Sequence, residues 1–175
     1  MTNHVHLIVN PGDNPESLSL LMKRVAGRQT RYVNKLEKRS GSLWEGRFKS
    51  SIVSSKEYLL SCSRYIELNP VRAGMVEEPS AYKWSSFAKK VNGKPDSVVD
   101  DEFIYKALGK NAAERQRAYH EYVYQTIPEE ELKLIRDSIL RNQVTGGNRF
   151  RVELEKKLKV RLSNRGPGRP KNPKK

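Results

Sequence analysis

The run NHVHLIV, residues 3–9, sets the tightest constraint on what this chain can fold into. His4, His6 and Ile8 fall on one face of an extended backbone and Val5, Leu7 and Val9 on the other, an alternation that specifies a strand and puts both imidazoles on the same side. A strand takes its hydrogen bonds from neighbours, so the chain must build a sheet around this run or leave its edges unpaired. Pro11, Gly12 and Asp13 end the strand, and Asn14 with Pro15 makes an N-cap and first-position pair for a helix. Leu18, Leu21, Met22, Val25, Tyr32, Val33 and Leu36 then recur at helical spacing. LWEGRFKSSIV, residues 43–53, reads as a second strand. SSKEYLLSCSRYIELNP, residues 54–70, reads as a second helix, opened by a Ser54/Glu57 capping box and closed by Pro70. Strand, helix, strand, helix is the beginning of an α+β domain, placed at residues 1–90.

Residues 77–100 are loop-rich, with Pro79, Gly93 and Pro95, and Trp84 and Phe87 are the side chains expected to pin them. Four short helices follow, predicted near 100–108 (closed by Gly109), 111–125, 128–141 and 148–159. They form a small helical module, residues 97–160, of a helix-turn-helix-like kind that could bind DNA. The tail, residues 161–175, has too little apolar content to fold. Its GRPK core is AT-hook-like: Arg165 and Arg169 would enter the narrow minor groove of A·T-rich duplex DNA, a generic basic tail being the plainer alternative.

Charge narrows the function. The net charge is +14, and the excess sits at the two ends: 12 basic and 6 acidic side chains in residues 1–76, and 6 basic and none acidic in residues 161–175. Such a distribution favours a polyanionic partner, because each phosphate neutralised releases counterions. The polar face of the first helix carries Lys23, Arg24, Arg28, Arg31, Lys35 and Lys38, with Glu37 the one acid in that span, which suits phosphate tracking as well as plain solvation. No apolar run approaches the roughly 18 residues of a spanning helix, and no signal peptide is evident, so a cytoplasmic, nucleoid-associated protein is expected. Cys62 is the single cysteine, which excludes a disulfide framework and a cysteine-based zinc site.

The chemistry-bearing residues are few. His4 and His6 read either as a metal-ligating pair or as core histidines. Tyr65 and Asn69 stand four apart on the second helix and share a face. Two imidazoles and an amide oxygen would leave open positions on a hard divalent ion that also holds a phosphate, and a tyrosine one turn away could reach that phosphorus. An ordinary amphipathic-helix tyrosine is the bland alternative. Arg47 and Lys49 are candidate phosphate contacts, and surface charge explains them equally well.

NHVHLIV, LWEGRFKSS and YLLSCSRYIELNPVRAGMV, in that order, resemble the REP-associated tyrosine transposases, a branch of the single-tyrosine HUH transposases. The resemblance runs from residue 3 to about Trp84, and more loosely through GNRF at 147–150 and the basic GRP tail. It implies that Tyr65 is the nucleophile and that His4, His6 and Asn69 hold Mg²⁺ or Mn²⁺. It also implies a single-stranded DNA substrate with palindromic hairpins, cleaved and rejoined through a 5′-phosphotyrosine without ATP, by a monomer or homodimer. The fold implied is a ferredoxin-like sheet, βαββαβ. In that family a strand, a helix and another strand precede the histidines, so this chain reads as N-terminally incomplete, with a gap in its sheet. The competing expectation is a shortened, sequence-specific DNA-binding protein without catalysis. An RNA-binding protein is a weaker third reading, since no aromatic-rich stacking motif is visible.

Overall fold

The computed structural model describes residues 1–162, which leaves Arg165, Arg169 and nearly all of the AT-hook-like tail outside the described residues. The regular structure there is helical: α1 Glu16–Leu36, α2 Leu59–Arg72, α3 Phe87–Asn92, α4 Phe103–Lys106, α5 Ala112–Tyr124, α6 Glu129–Leu140 and α7 Asn148–Leu158, with a 3₁₀ turn at Pro79–Ala81 between α2 and α3.

The expected ferredoxin-like α+β sheet is not present among the described residues, and the fold class is corrected accordingly. Residues 4–9 run without a strand assignment or ladder partner, and the sole bridge among the described residues joins Val53 to Thr145 in parallel sense. The physical reason lies in what holds residues 43–53. At one end Trp44 donates its Nε1–H to the Ala26 carbonyl of α1 at 3.1 Å. At the other end the Ser50 amide donates to Asn142 Oδ1, the Ser51 and Thr145 hydroxyls meet at 2.7 Å, and the Ser54 amide donates to the Thr145 carbonyl. The stretch read as a second strand is therefore tied to α1 and to the α6–α7 loop, leaving nothing to pair with residues 4–9. The apolar stripe of α1 is correspondingly uncovered: no residue of α1 is buried, and Leu20, Leu21, Val25, Tyr32 and Leu36 are exposed.

Local signals explain most helix ends. Asn14 Oδ1 accepts from the Glu16 amide at 2.9 Å, so the predicted cap operates at the start of α1. Asn111 caps α5 through the Glu114 amide, and Glu129, Glu130 and Glu131 occupy the positive end of the α6 dipole. Two expectations for α2 fail. The helix starts at Leu59 rather than Ser54, because the Ser54 amide is committed to Thr145 and the Glu57 carboxylate accepts from the Gly147 amide instead of closing a capping box. It also runs through Pro70 to Arg72, with the Asn69 carbonyl accepting from the Ala73 amide.

The core has two parts, both leaning on α2. Phe87, Tyr105, Tyr119 and Val123 form one, packed by Leu60 and Leu68 of α2; Cys62, Tyr65 and Ile135 form the other, packed by Ile66, Leu132 and Ile139. Phe87 thus anchors the 77–100 segment as expected, whereas Trp84 is 76 % exposed. Against the first of these lies a buried polar knot. Glu67 of α2 accepts from Ser86 Oγ at 2.6 Å and from the Tyr119 hydroxyl at 2.8 Å, while Lys90 Nζ stands 3.6 Å from Glu67 and 2.8 Å from Glu102. Arg64, also on α2, pairs with Glu131 of α6 at 2.6 Å and lies over the Tyr122 ring of α5. Glu67 and Lys90 are essentially inaccessible, so burying their charge is tolerable only because each is paired.

Candidate active site

The position of Tyr65 follows from α2. Its ring is 8 % exposed, sealed on the protein side by Ile135 of α6, and its hydroxyl makes no hydrogen bond among the described residues. On the other side stands His6, with ring centroids 6.0 Å apart and planes nearly perpendicular. His4 and His6 also meet edge to face at 4.8 Å. The alternation of residues 4–9 thus places the two imidazoles together even without a sheet, and they lie against a tyrosine 59 positions away from His6 in sequence.

The surroundings of His6 suit a metal ligand. His6 is partly buried, and that burial, followed by the fields of His4 and the N-terminal ammonium, lowers its pKa, favouring the neutral ring with a free lone pair. His4 is exposed, and its Nδ1 lies 2.7 Å from Asn3 Oδ1. Nε2 is the ring nitrogen turned away from that contact. Asn69 lies one turn beyond Tyr65, and its Nδ2 is buried without a hydrogen-bond partner among the described residues. An unpaired buried amide is costly unless something else engages the group, and amide N and O assignments exchange by a flip of the side chain. Two imidazoles and an amide are a donor set that fits a divalent cation. Among the described residues no cluster of three His, Cys, Asp or Glu supplies a rival site. Cys62, one turn before Tyr65, is no competing nucleophile: burial pushes its thiol up to about 12.

The basic residues lie apart from this centre. Arg24, Arg28 and Arg31 follow one face of α1, and Arg47 and Lys49 lie on the irregular segment that Trp44 joins to α1. All five are exposed, and none pairs with a carboxylate among the described residues. Arg72 was not among the expected site residues. It sits seven positions after Tyr65, two turns along the same face of α2, with its guanidinium 5.4 Å from the Tyr65 ring centroid and Nη1 donating to the Tyr65 carbonyl at 3.3 Å. The i, i+7 spacing from the tyrosine was the available signal.

Comparison with known proteins agrees with the first half of the chain. Residues 1–69, the stretch that contains both histidines, Tyr65 and Asn69, are similar to the family model described as "Transposase IS200 like". A curated Haemophilus influenzae protein described as "Putative REP-associated tyrosine transposase" is 24% identical over 106 residues, covering 54% of this chain and 58% of that protein. The chain therefore spans little more than half the length of that relative. No solved structure matches. No helix among the described residues is long and apolar enough to cross a membrane.

Proposed function

We propose that the protein is a DNA strand-transferase that cleaves and rejoins single-stranded DNA at palindromic hairpins, with Tyr65 as nucleophile and His4, His6 and Asn69 as ligands of a divalent cation, Mg²⁺ or Mn²⁺. The observation that carries this reading is the contact of His4 with His6 and of His6 with Tyr65 across 59 residues of sequence. When bound, the cation would supply Lewis-acid stabilisation of charge on the non-bridging oxygens of the scissile phosphate.

The remaining chemistry belongs to the chain. Tyr65 Oη attacks phosphorus, the bond to the 3′-oxygen breaks, and the phenolic proton leaves while the 3′-oxygen gains one, giving a 5′-phosphotyrosine and a free 3′-hydroxyl. Attack by a 3′-hydroxyl on that phosphotyrosine reverses the exchange and rejoins the strand. A phenol of ordinary pKa, about 10, needs a favourable field to react near neutrality. Two groups lie against the Tyr65 ring, His6 from the N-terminal segment and Arg72 from α2. The cationic face of α1 with Arg47 and Lys49 would hold the DNA backbone. The tail, with Arg165 and Arg169, would add contacts to A·T-rich duplex.

One observation favours the second reading, a DNA-binding protein without catalysis: the segment bearing the histidines has no ladder partner, and Asn3 is the side-chain hydrogen-bond partner of His4. A covalent-adduct assay decides between them. An end-labelled single-stranded REP hairpin is incubated with the protein in Mg²⁺ and in chelator, with Tyr65→Phe as control. The enzyme reading expects a denaturation-resistant adduct that needs both metal and Tyr65. A native-gel shift without an adduct in any condition would establish the binding protein instead.

A further inference from the structure

We infer that Arg72 is a phosphate-contacting residue that seats a DNA phosphodiester against Tyr65. The inference builds on the proposed role of Tyr65, but it concerns a group that neither the sequence patterns nor the comparisons assign.

Three observations converge on the guanidinium. It is anchored at one point, through Nη1 to the Tyr65 carbonyl at 3.3 Å, which fixes it beside the Tyr65 ring. It is solvent-reachable, and among the described residues no carboxylate lies within ion-pair distance of it. Its nearest cationic influences, Arg136 and Arg64, repel it, while Glu129 and Tyr65 are the groups that attract it. Arg64 is already neutralised by Glu131, so Arg72 and Arg136 remain as positive charge on the exposed side of α2 and α6.

Two exposed guanidiniums with no carboxylate in ion-pair contact among the described residues leave a local positive field that suits an anion. The adjoining nucleophile defines which anion fits. A guanidinium whose one edge is bound to a carbonyl still offers other N–H donors in a planar fork, the geometry that matches two oxygens of a phosphate. A phosphodiester bound there would have its phosphorus next to the Tyr65 ring edge, with the negative charge that grows on its oxygens facing Arg72. A purely structural cation–π contact, the alternative, would stabilise α2 and do nothing to DNA.

The test separates these roles and is independent of whether the adduct forms. Binding of a fluorescein-labelled single-stranded REP hairpin is followed by anisotropy between 50 and 200 mM NaCl for the wild type, Arg72→Gln and Arg72→Lys, with thermal melts alongside. Losing one phosphate contact should lower the slope of log K against log [salt] by about 0.7 in Arg72→Gln, while Arg72→Lys keeps the slope. In the adduct assay both variants should slow, Arg72→Gln by about 100-fold, as for a lost transition-state donor, and Arg72→Lys by less because it keeps charge but not the fork. An unchanged salt slope in a folded Arg72→Gln protein, or an Arg72→Lys protein that reacts at the full rate, overturns the assignment. If Arg72→Gln does not fold, Arg72→Met, which keeps the packing of the stem, takes its place in the salt series. A wild type that gives no adduct while Arg72→Gln still loses slope would sink the enzyme reading and leave Arg72 as a phosphate contact.

Discussion

Lys90→Met tests the buried polar knot beneath α2. Lys90 Nζ is the cation between Glu67 and Glu102, and methionine keeps its length while removing the charge. Glu67 would retain the Ser86 and Tyr119 hydroxyls but lose its counter-ion in a site that water does not reach. Removing one partner of such a pair costs about 3–5 kcal/mol, a large share of the roughly 5–15 kcal/mol that holds a domain together. With a urea m-value of about 2 kcal/mol/M, the midpoint should fall by roughly 1.5–2.5 M. The pH dependence supplies a second signature. Burial already raises the Glu67 pKa above the ordinary carboxylate value, against the lowering fields of Lys90, Ser86 and Tyr119. For a carboxylate raised on folding, the unfolded chain gives up its proton first, so stability is highest below the unfolded pKa and declines as pH rises through the folded one. Losing Lys90 lifts the folded pKa further and widens that window. The variant's deficit should be largest near neutrality and shrink toward pH 4, and Glu67→Gln in the same background should recover much of it. A midpoint shift under 0.5 M that does not vary with pH would refute the reasoning, since it would mean that the knot is solvated.

Gly146→Ala should destabilise the junction of residues 53–54 with the α6–α7 loop, because a Cβ there would sit 2.5 Å from Phe150 Cδ1 and 3.2 Å from Ser54 Cβ. A loss of about 1–3 kcal/mol by urea titration is expected, and a neutral effect would show that the Phe150 ring moves aside freely. Replacing Arg24, Arg28 and Arg31 together by Gln should reduce the salt slope of single-strand binding by about 2 with an unchanged melting temperature, as befits exposed side chains that hold nothing in the fold. A slope equal to wild type would remove the face of α1 from the DNA path.

The sequence was most informative where one short segment decides its own conformation. Asn111 with Glu114, the acidic start of α6 and the closing Gly109 place the C-terminal helices within a few residues of where they lie, because caps and dipoles act locally. It was least informative where partners from elsewhere compete. Residues 43–53 have the composition of a strand, yet their hydrogen bonds go to Ala26, Asn142 and Thr145, none of which the local pattern can announce. Glu67 and Lys90 look like surface charges in a linear reading; only the arrival of Tyr119 and Ser86 makes them interior. In the candidate site, the alternation of His4 and His6 and the spacing of Tyr65 and Asn69 could be read directly. The contact between the two segments could be expected only from the resemblance, and a helix expected to end at Pro70 leaves Arg72 off the face that carries Tyr65.

The nakedness of α1 bears on how DNA would be gripped. A helix of 21 residues with no fully buried side chain, partly covered at Leu18, Met22 and Val33, stands largely on intrinsic propensity, its end caps and the Trp44 bond, a regime in which helix and coil are close in free energy. A phosphate backbone lying along Arg24, Arg28 and Arg31 would then do more than meet a prepared surface: it would select the helical members of an ensemble. Part of the electrostatic gain would go into ordering the chain, and the apparent affinity would be reduced by the fraction of molecules already helical. Substitutions that touch no nucleotide, such as alanines on the polar face of α1, could thereby tighten binding simply by raising that fraction.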